Sequence, residues 1–311
     1  MNYLKKLGYT AVLTVCSVLV PPFATAQSQV RVLTVELPMQ GITLQYSQPT
    51  RLEQVLTDAN ANGALGYFPL SAQLFDRNAQ PQVDKVKQQV LDKLKHLALQ
   101  EPQATSVLKQ LESFDYQARY FVELDQNAVM SQADKNPLLV SKKPTVASKK
   151  PAMASTQLAM ASKQSATASK QQATASKQSA TALKKPASQG VSAKSAEQQH
   201  FELYLTARPT SVNVVGAVKQ AHTLPLVEHA QLDNYLTRLP KGQLLDIADN
   251  STAFVIQPDG LVNEISYAYW NSKPAYFAPG AIIFIAFDSL PSEFSTLNQD
   301  IVELLRHKVN L

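Results

Sequence analysis

Apolar and polar residues change their period several times along the chain. Between Gln29 and Gln45 they alternate, with Val30, Val32 and Thr34 against Arg31 and Leu33, then Ile42 and Leu44 beyond a break at Gly41. That pattern predicts two strands joined by a turn. Thr50 is placed to cap a helix whose inner face carries Leu52, Val55 and Leu56, and Gly63 and Gly66 end it. Pro69 to Phe75 predicts another short strand. From Val83 the period becomes helical, with Val86, Val90, Leu94 and Leu97 spaced by four, four and three. Glu101-Pro102 separates this helix from a second one holding Val107, Leu108 and Leu111, which predicts an antiparallel helical hairpin over about residues 82–113. Ala118 to Leu124 resumes strand character. The stretch before Gln80 is too small to form a core by itself, so the hairpin reads as an insertion in a first sheet unit.

A similar succession follows later. Phe201 to Leu205 alternates, and Val212, Val214, Gly216 and Val218 make a strand–turn–strand. Leu232, Tyr235, Leu236 and Leu239 share one helical face. Ala253 to Ile256 is a buried-strand run, Pro258-Asp259-Gly260 a turn, and Leu261 to Tyr269 the returning strand. Ala281 to Phe287 is the most apolar run beyond the leader. In the last helix Phe294, Leu297, Ile301, Leu304 and Leu305 recur on one face, with Glu293 and Asp300 near its positive end and Arg306, His307 and Lys308 near its negative end. That face has two readings: packing on its own domain, or docking to a partner or a membrane surface. The class predicted is α+β, with the order hairpin, helix, strands occurring twice.

Between the halves the periodicity means something else. From Ser141 to Lys194 the chain carries ten lysines and no acidic residue, and a seven-residue unit recurs from Ala161, Ala168, Ala175 and Ala182. Leu183 is the sole large apolar side chain in the four copies, so no coiled-coil seam exists. Ordering such a segment costs roughly 1–2 kcal/mol per residue with nothing to bury in return. Residues 141–197 are therefore predicted to be a disordered linker between two domains.

The ends add a compartment. Lys5 and Lys6, the apolar run from Leu7 to Val20, and Ala24-Thr25-Ala26 before Gln27 compose an export signal. Cleavage there removes the single cysteine, Cys16, and with it any thiol or disulfide chemistry. The predicted organisation is a signal at 1–26, a first domain at 27–140, the linker at 141–197, a second domain at 198–288 and a C-terminal helix at 289–311. Of the 29 basic residues, two fall in the leader and ten in the tract, leaving 17 against 24 acidic ones. The globular parts are thus acidic, and the basicity belongs to the linker. An exported chain with that distribution implies no nucleic-acid partner; an anionic glycan or membrane surface fits the lysines, as does a simple solubilising spacer.

No catalytic signature is present. His96, His200, His222, His229 and His307 are dispersed without an HxxxH pair, no GxSxG elbow occurs, and nine glycines form no phosphate-cradling loop. No metal and no cofactor is implied.

The residues from Arg208 onwards carry a resemblance: RPTSVNVVGAV, DNYLTRL, FVIQPDG, Trp270-Asn271, PGAIIFIAF and STLNQDIVELLRHKV. Together they are similar to the periplasmic capsule-biosynthesis proteins of the GfcC family, and the hairpin, helical pair and ARYFVELD strand of the first half match more loosely. The resemblance implies two β-grasp domains, like the SLBB-type domains of outer-membrane polysaccharide export channels. It further implies a helical hairpin inserted in the first domain, a C-terminal amphipathic helix and a non-enzymatic periplasmic role in producing or exporting a surface polysaccharide. The implied partners are the export machinery or the polysaccharide itself. A cell-wall or anionic-glycan-binding module using the lysine tract is the alternative. The short domain linker of the family is replaced here by the long tract.

On the same resemblance, Arg119 matches a pocket-lining position. Its guanidinium, beside Tyr116 and Tyr120, is suited to hold a carboxylate or a sugar; pairing with Glu123 or Asp125 for structure is the other reading. Trp270, Tyr267, Tyr269 and Tyr276 have two readings as well, a sugar-stacking face or ordinary packing.

Overall fold

The computed structural model describes residues 32–140, 198–271 and 273–310. The leader read above as an export signal, with Cys16, and the lysine tract with its repeats lie outside them.

The predicted hairpin forms as β1 (Leu33–Leu37) and β2 (Ile42–Tyr46), turning through Gly41 at positive φ. Leu33, Val35 and Leu37 are fully buried, a phase opposite to the Val32/Thr34 row read from sequence. Helix α1 (Leu52–Ala61) covers them with Leu52, Val55, Leu56 and Ala59. Its cap is not Thr50, whose hydroxyl turns back to the Gln48 carbonyl. Asn136 instead accepts the Glu53 N–H at 3.0 Å, and the Pro137 carbonyl accepts that of Leu52. These bonds satisfy two of the helix's orphan donors from 80-odd residues away. β3 (Gln73–Asp76) follows, then the helical hairpin of α2 (Gln80–Gln100) and α3 (Ala104–Glu112). The short α4 (Gln126–Ser131) comes next.

Two placements depart from the sequence reading. The strand after the tract, β4 (Gln199–Tyr204), was expected to begin the second domain; it lies instead inside the first sheet, parallel to β1 and antiparallel to β3, in the order β2-β1-β4-β3. Phe201 and Leu203 are fully buried in that sheet's core, which is what the alternating pattern required without saying which core it filled. The chain thus leaves the first unit after Val140 and re-enters it at Gln198. The two sheets are joined directly by Leu205 to Thr210 and not by the lysine tract.

The second departure concerns the helical hairpin. Val90, Leu94 and Leu97 of α2 and Val107 and Leu111 of α3 pack into the core of the second sheet, not the first. That sheet has the order β6-β5-β9-β7-β8. Its strands are β5 (Ser211–Gly216), β6 (His222–Pro225), β7 (Ala248–Ile256), β8 (Val262–Ser266) and β9 (Ile282–Phe287). Its first four members repeat the pattern of the other sheet: a hairpin, a parallel partner for the hairpin's first strand, and an antiparallel neighbour beyond. The helix expected over Leu226 to Leu239 is confined to α5 (Leu232–Leu236).

Buried Gln110 on α3 fastens hairpin to sheet. Its amide donates to the Gly216 and Val218 carbonyls at 3.1 and 2.8 Å and accepts the Gly216 N–H at 3.1 Å, at the end of β5 where ladder bonds run out. The last helix, α6 (Leu297–Leu305), is shorter than 289–311 and packs on α2 and the second sheet. Phe294, Leu297, Ile301, Leu304 and Leu305 are all buried there, so the face belongs to its own fold and is not left for a membrane or partner. Among the described residues no helix is long and apolar enough to cross a membrane.

Candidate functional site

Ala118 to Leu124 does not form a regular strand. Ala118 and Tyr120 exchange backbone bonds with β3, accepting from Asp76 N–H at 2.8 Å and donating to the Leu74 carbonyl at 2.7 Å. On the other side, Gln117 donates to the His307 carbonyl and Val309 to that of Asp115, both at 3.0 Å. The segment is therefore held between the first sheet and the C-terminal residues, with too few consecutive partners on either side to make a ladder.

Arg119 sits at this seam. Its backbone N–H donates to His307 Nδ1 at 3.0 Å, which leaves the neutral imidazole's proton on Nε2. Its guanidinium donates to the carbonyl of Pro258, in the β7–β8 turn. The expected ion pairs do not form: Glu123 pairs with Lys135 at 3.3 Å, and Asp125 caps α4 through the Asn127 N–H. Among the described residues Arg119 makes no ion pair, and burial lowers its pKa to about 10, with Asp259 opposing that effect and Arg306 adding to it.

Next to it Phe121 enters the turn of the second sheet. Its ring is so close to Gly260 that a Cβ there would come within 2.4 Å. The Arg306 guanidinium lies 4.2 Å from the ring centroid, donates to the Gly260 carbonyl at 2.9 Å and pairs with Glu303 at 2.7 Å.

Above this seam opens a cleft of about 310 Å³. Its apolar wall is Ala79, Val83 and Val86 of α2 and its approach; polar groups come from Asp76, Arg119, Tyr120, Glu303 and His307. The structure thus brings Arg119 and Tyr120 to one cleft and leaves Tyr116 out. Tyr116 is buried in the second core, donates its hydroxyl to the Leu111 carbonyl at 3.1 Å and carries Lys87 over its ring. Tyr120 rests edge-on against Phe201 at 5.5 Å. His307, read from sequence as a basic residue at a helix end, is a neutral wall of the cleft. Burial is the main cause lowering its pKa to about 4, with Glu303 opposing it and Arg306 and Arg119 adding to it. A desolvated cation, an imidazole N–H and a phenol beside an apolar wall suit the binding of an oxygen-rich ligand. Among the described residues no cluster of three His, Cys, Asp or Glu is placed to hold a metal.

The His307 shift sets a pH dependence. Because its folded pKa lies below the unfolded value of 6.5, the unfolded chain takes the proton first. The contribution is complete above pH 6.5 and is lost as pH falls towards 4. Between pH 7 and 4.5 this group removes about 2–3 kcal/mol of stability. Urea unfolding at the two pH values should show that His307→Phe flattens the dependence by about this amount; an equal slope in both proteins refutes the assignment.

The other aromatic residues separate. Tyr267 is half-buried, donates to the Asp249 carbonyl and has its pKa pushed up to about 12, chiefly by burial. Tyr269, Trp270 and Tyr276 stand exposed. Sequence reasoning did not find Phe121, Asp76, Glu303 or Arg306 as site residues, since they converge from three separated segments. The one available signal was Gly260, recognised as a turn but not as a socket.

Comparison with known proteins covers both sheet units. The family model described as Capsule biosynthesis GfcC, N-terminal, matches residues 31–143, and that described as Capsule biosynthesis GfcC C-terminal matches residues 220–310. The uncharacterized protein YjbG of Escherichia coli (strain K12) is 31% identical over 114 residues, which is 36% of this chain. The matched stretch spans 45% of that relative's length.

Proposed function

The chain belongs to the GfcC capsule-biosynthesis family, and on that premise we propose that it is a non-catalytic periplasmic accessory protein in the production or export of a surface polysaccharide, built from two β-grasp domains. The match of both halves to the family carries this reading. The repeated sheet pattern supports the β-grasp assignment, since in each sheet the hairpin's first strand runs parallel to the last strand, which pairs antiparallel with the one between. The Arg119 cleft is its binding site, for the glycan or for a component of the export machinery. Cells lacking the gene should carry less polysaccharide at their surface, with the wild-type gene restoring it and Arg119→Gln restoring less than half. Unchanged surface polysaccharide in the deletion strain ends this reading.

One observation favours a second role for the lysine tract. The described residues on either side of it both belong to the first unit, Leu139 in its core and Gln199 at the start of β4, so its length is not needed to join the two sheets. Contact with an anionic glycan is then its use. Removal of residues 141–194 should abolish salt-sensitive binding to such a glycan, and binding that survives unchanged eliminates the role.

A further inference from the structure

We infer that the Arg119 cleft takes a small ligand bearing one carboxylate, of the uronic-acid class, which supplies a counter-ion that the described fold leaves out; the inference rests on the reading of that cleft as the binding site. Of the described arginines all but Arg119 and Arg306 are exposed, and Arg306 pairs with Glu303 at 2.7 Å. Arg119 is thus, among the described residues, the one covered arginine without an ion-pair partner. A cation drawn out of water and left unpaired is costly, and an anion beside it relieves that cost.

The acids around the cleft are engaged elsewhere. Glu303 accepts from Arg306 on both oxygens, at 3.0 and 2.7 Å, Asp259 accepts the Leu261 N–H at 2.8 Å and Asp76 the Asn78 N–H at 3.0 Å. Asp259 acts on Arg119 through its field alone, without an ion pair. Of the Arg119 guanidinium nitrogens only Nη2 has a hydrogen-bond partner among the described residues, the Pro258 carbonyl. That bond tethers the group and leaves its other N–H donors for a ligand, and the two oxygens of a carboxylate match such a planar array of charged donors.

The walls limit the ligand's charge and size. Asp76 and Glu303 line the cleft together with Arg119, so the second charge of a phosphate would be repelled by both, whereas a single carboxylate balances Arg119. The volume of about 310 Å³ lies at the lower end of small-molecule sites, about 300–1,000 Å³, and suits one ring better than a length of helix or strand. Ala79, Val83 and Val86 give that ring an apolar wall. None of the large apolar side chains that the described residues expose lines the cleft, which favours a small ligand over a protein surface docking through such anchors.

The full chain is titrated by calorimetry, at constant ionic strength, with sodium D-glucuronate, D-glucose and D-glucose 6-phosphate. Glucuronate should bind saturably, and each of the other two at least about tenfold more weakly. Glucuronate should also raise the thermal midpoint of the parent and leave that of Arg119→Gln where it is. Glucose or the phosphate binding as tightly as glucuronate overturns the inference on the parent protein alone, whether or not the variant folds. Glucuronate binding that Arg119→Gln leaves unchanged overturns it too, and so does Arg119-dependent capture of an envelope protein by a chain that binds no glucuronate. Surface polysaccharide purified from the producing cells, before and after reduction of its carboxyl groups to alcohols, separates the inference from the reading beneath it. Loss of binding on reduction is the expected result. Reduced polymer that still binds through Arg119 rejects the carboxylate and keeps the cleft; polymer that binds Arg119→Gln as well as the parent rejects the cleft itself.

Discussion

Expressed as two separate polypeptides, residues 32–140 and 198–310 will assemble into one cooperatively folded species, and neither will be soluble alone. The expectation follows from where each fragment puts its apolar side chains. The second fragment carries β4, which fills the gap between β1 and β3 and brings Phe201 and Leu203 into the first core. The first carries α2 and α3, which bring Val90, Leu94, Leu97, Val107 and Leu111 into the second. Each such side chain contributes about 1.5–3 kcal/mol when buried. Removing even two of them together with a central strand exceeds much of the roughly 5–15 kcal/mol by which a domain is stable. Co-expression with a tag on one fragment, followed by a melting curve of the captured pair, provides the test. Either fragment folding cooperatively alone contradicts it.

Replacing Gly216 by alanine should cost at least about 3 kcal/mol. The residue has a φ of +101°, and a Cβ there would lie 2.3 Å from the Ile285 carbonyl oxygen and 2.6 Å from the Phe284 ring. Both neighbours belong to β9, the middle strand of the second sheet, so neither can retreat without breaking its own ladder. Strain at positive φ and overpacking each amount to about 1–3 kcal/mol, and any backbone shift also loosens the three bonds of Gln110. Gly63 is the control: its φ is +100° with nothing within 4 Å of the added methyl, so Gly63→Ala isolates the backbone part at about 1 kcal/mol. Urea midpoints of the two variants should differ accordingly; equal midpoints refute the steric argument.

The elements were readable where a periodic apolar pattern ran long enough, as in α2, α6 and the run that became β9. Their partners were not. Alternation in Phe201 to Leu205 identifies a strand with a buried face, yet nothing local distinguishes the core of the preceding sheet from that of the following one. The low-complexity tract made this worse, because a long polar stretch reads as a boundary, whereas here it interrupts a single sheet unit. The Arg119 site was legible only as one residue. Its setting depends on Pro258, Phe121 and His307 meeting across the seam, and His307 looked like a charged helix-end residue because burial cannot be seen in composition. Tyr116 and Tyr120, four positions apart in an extended segment, were placed together on proximity in sequence alone, and the chain sends them to different cores.

The seam carries a consequence for motion. The chain passes between the two sheet units at Arg77–Gln80, again between α3 and Ala118, and a third time at Leu205–Thr210, and residues 307–310 bond back to Asp115, Gln117, Arg119 and Gln73. Rotation of one unit against the other would therefore have to be absorbed at all three crossings together, and would strain the bonds that residues 307–310 make across the seam.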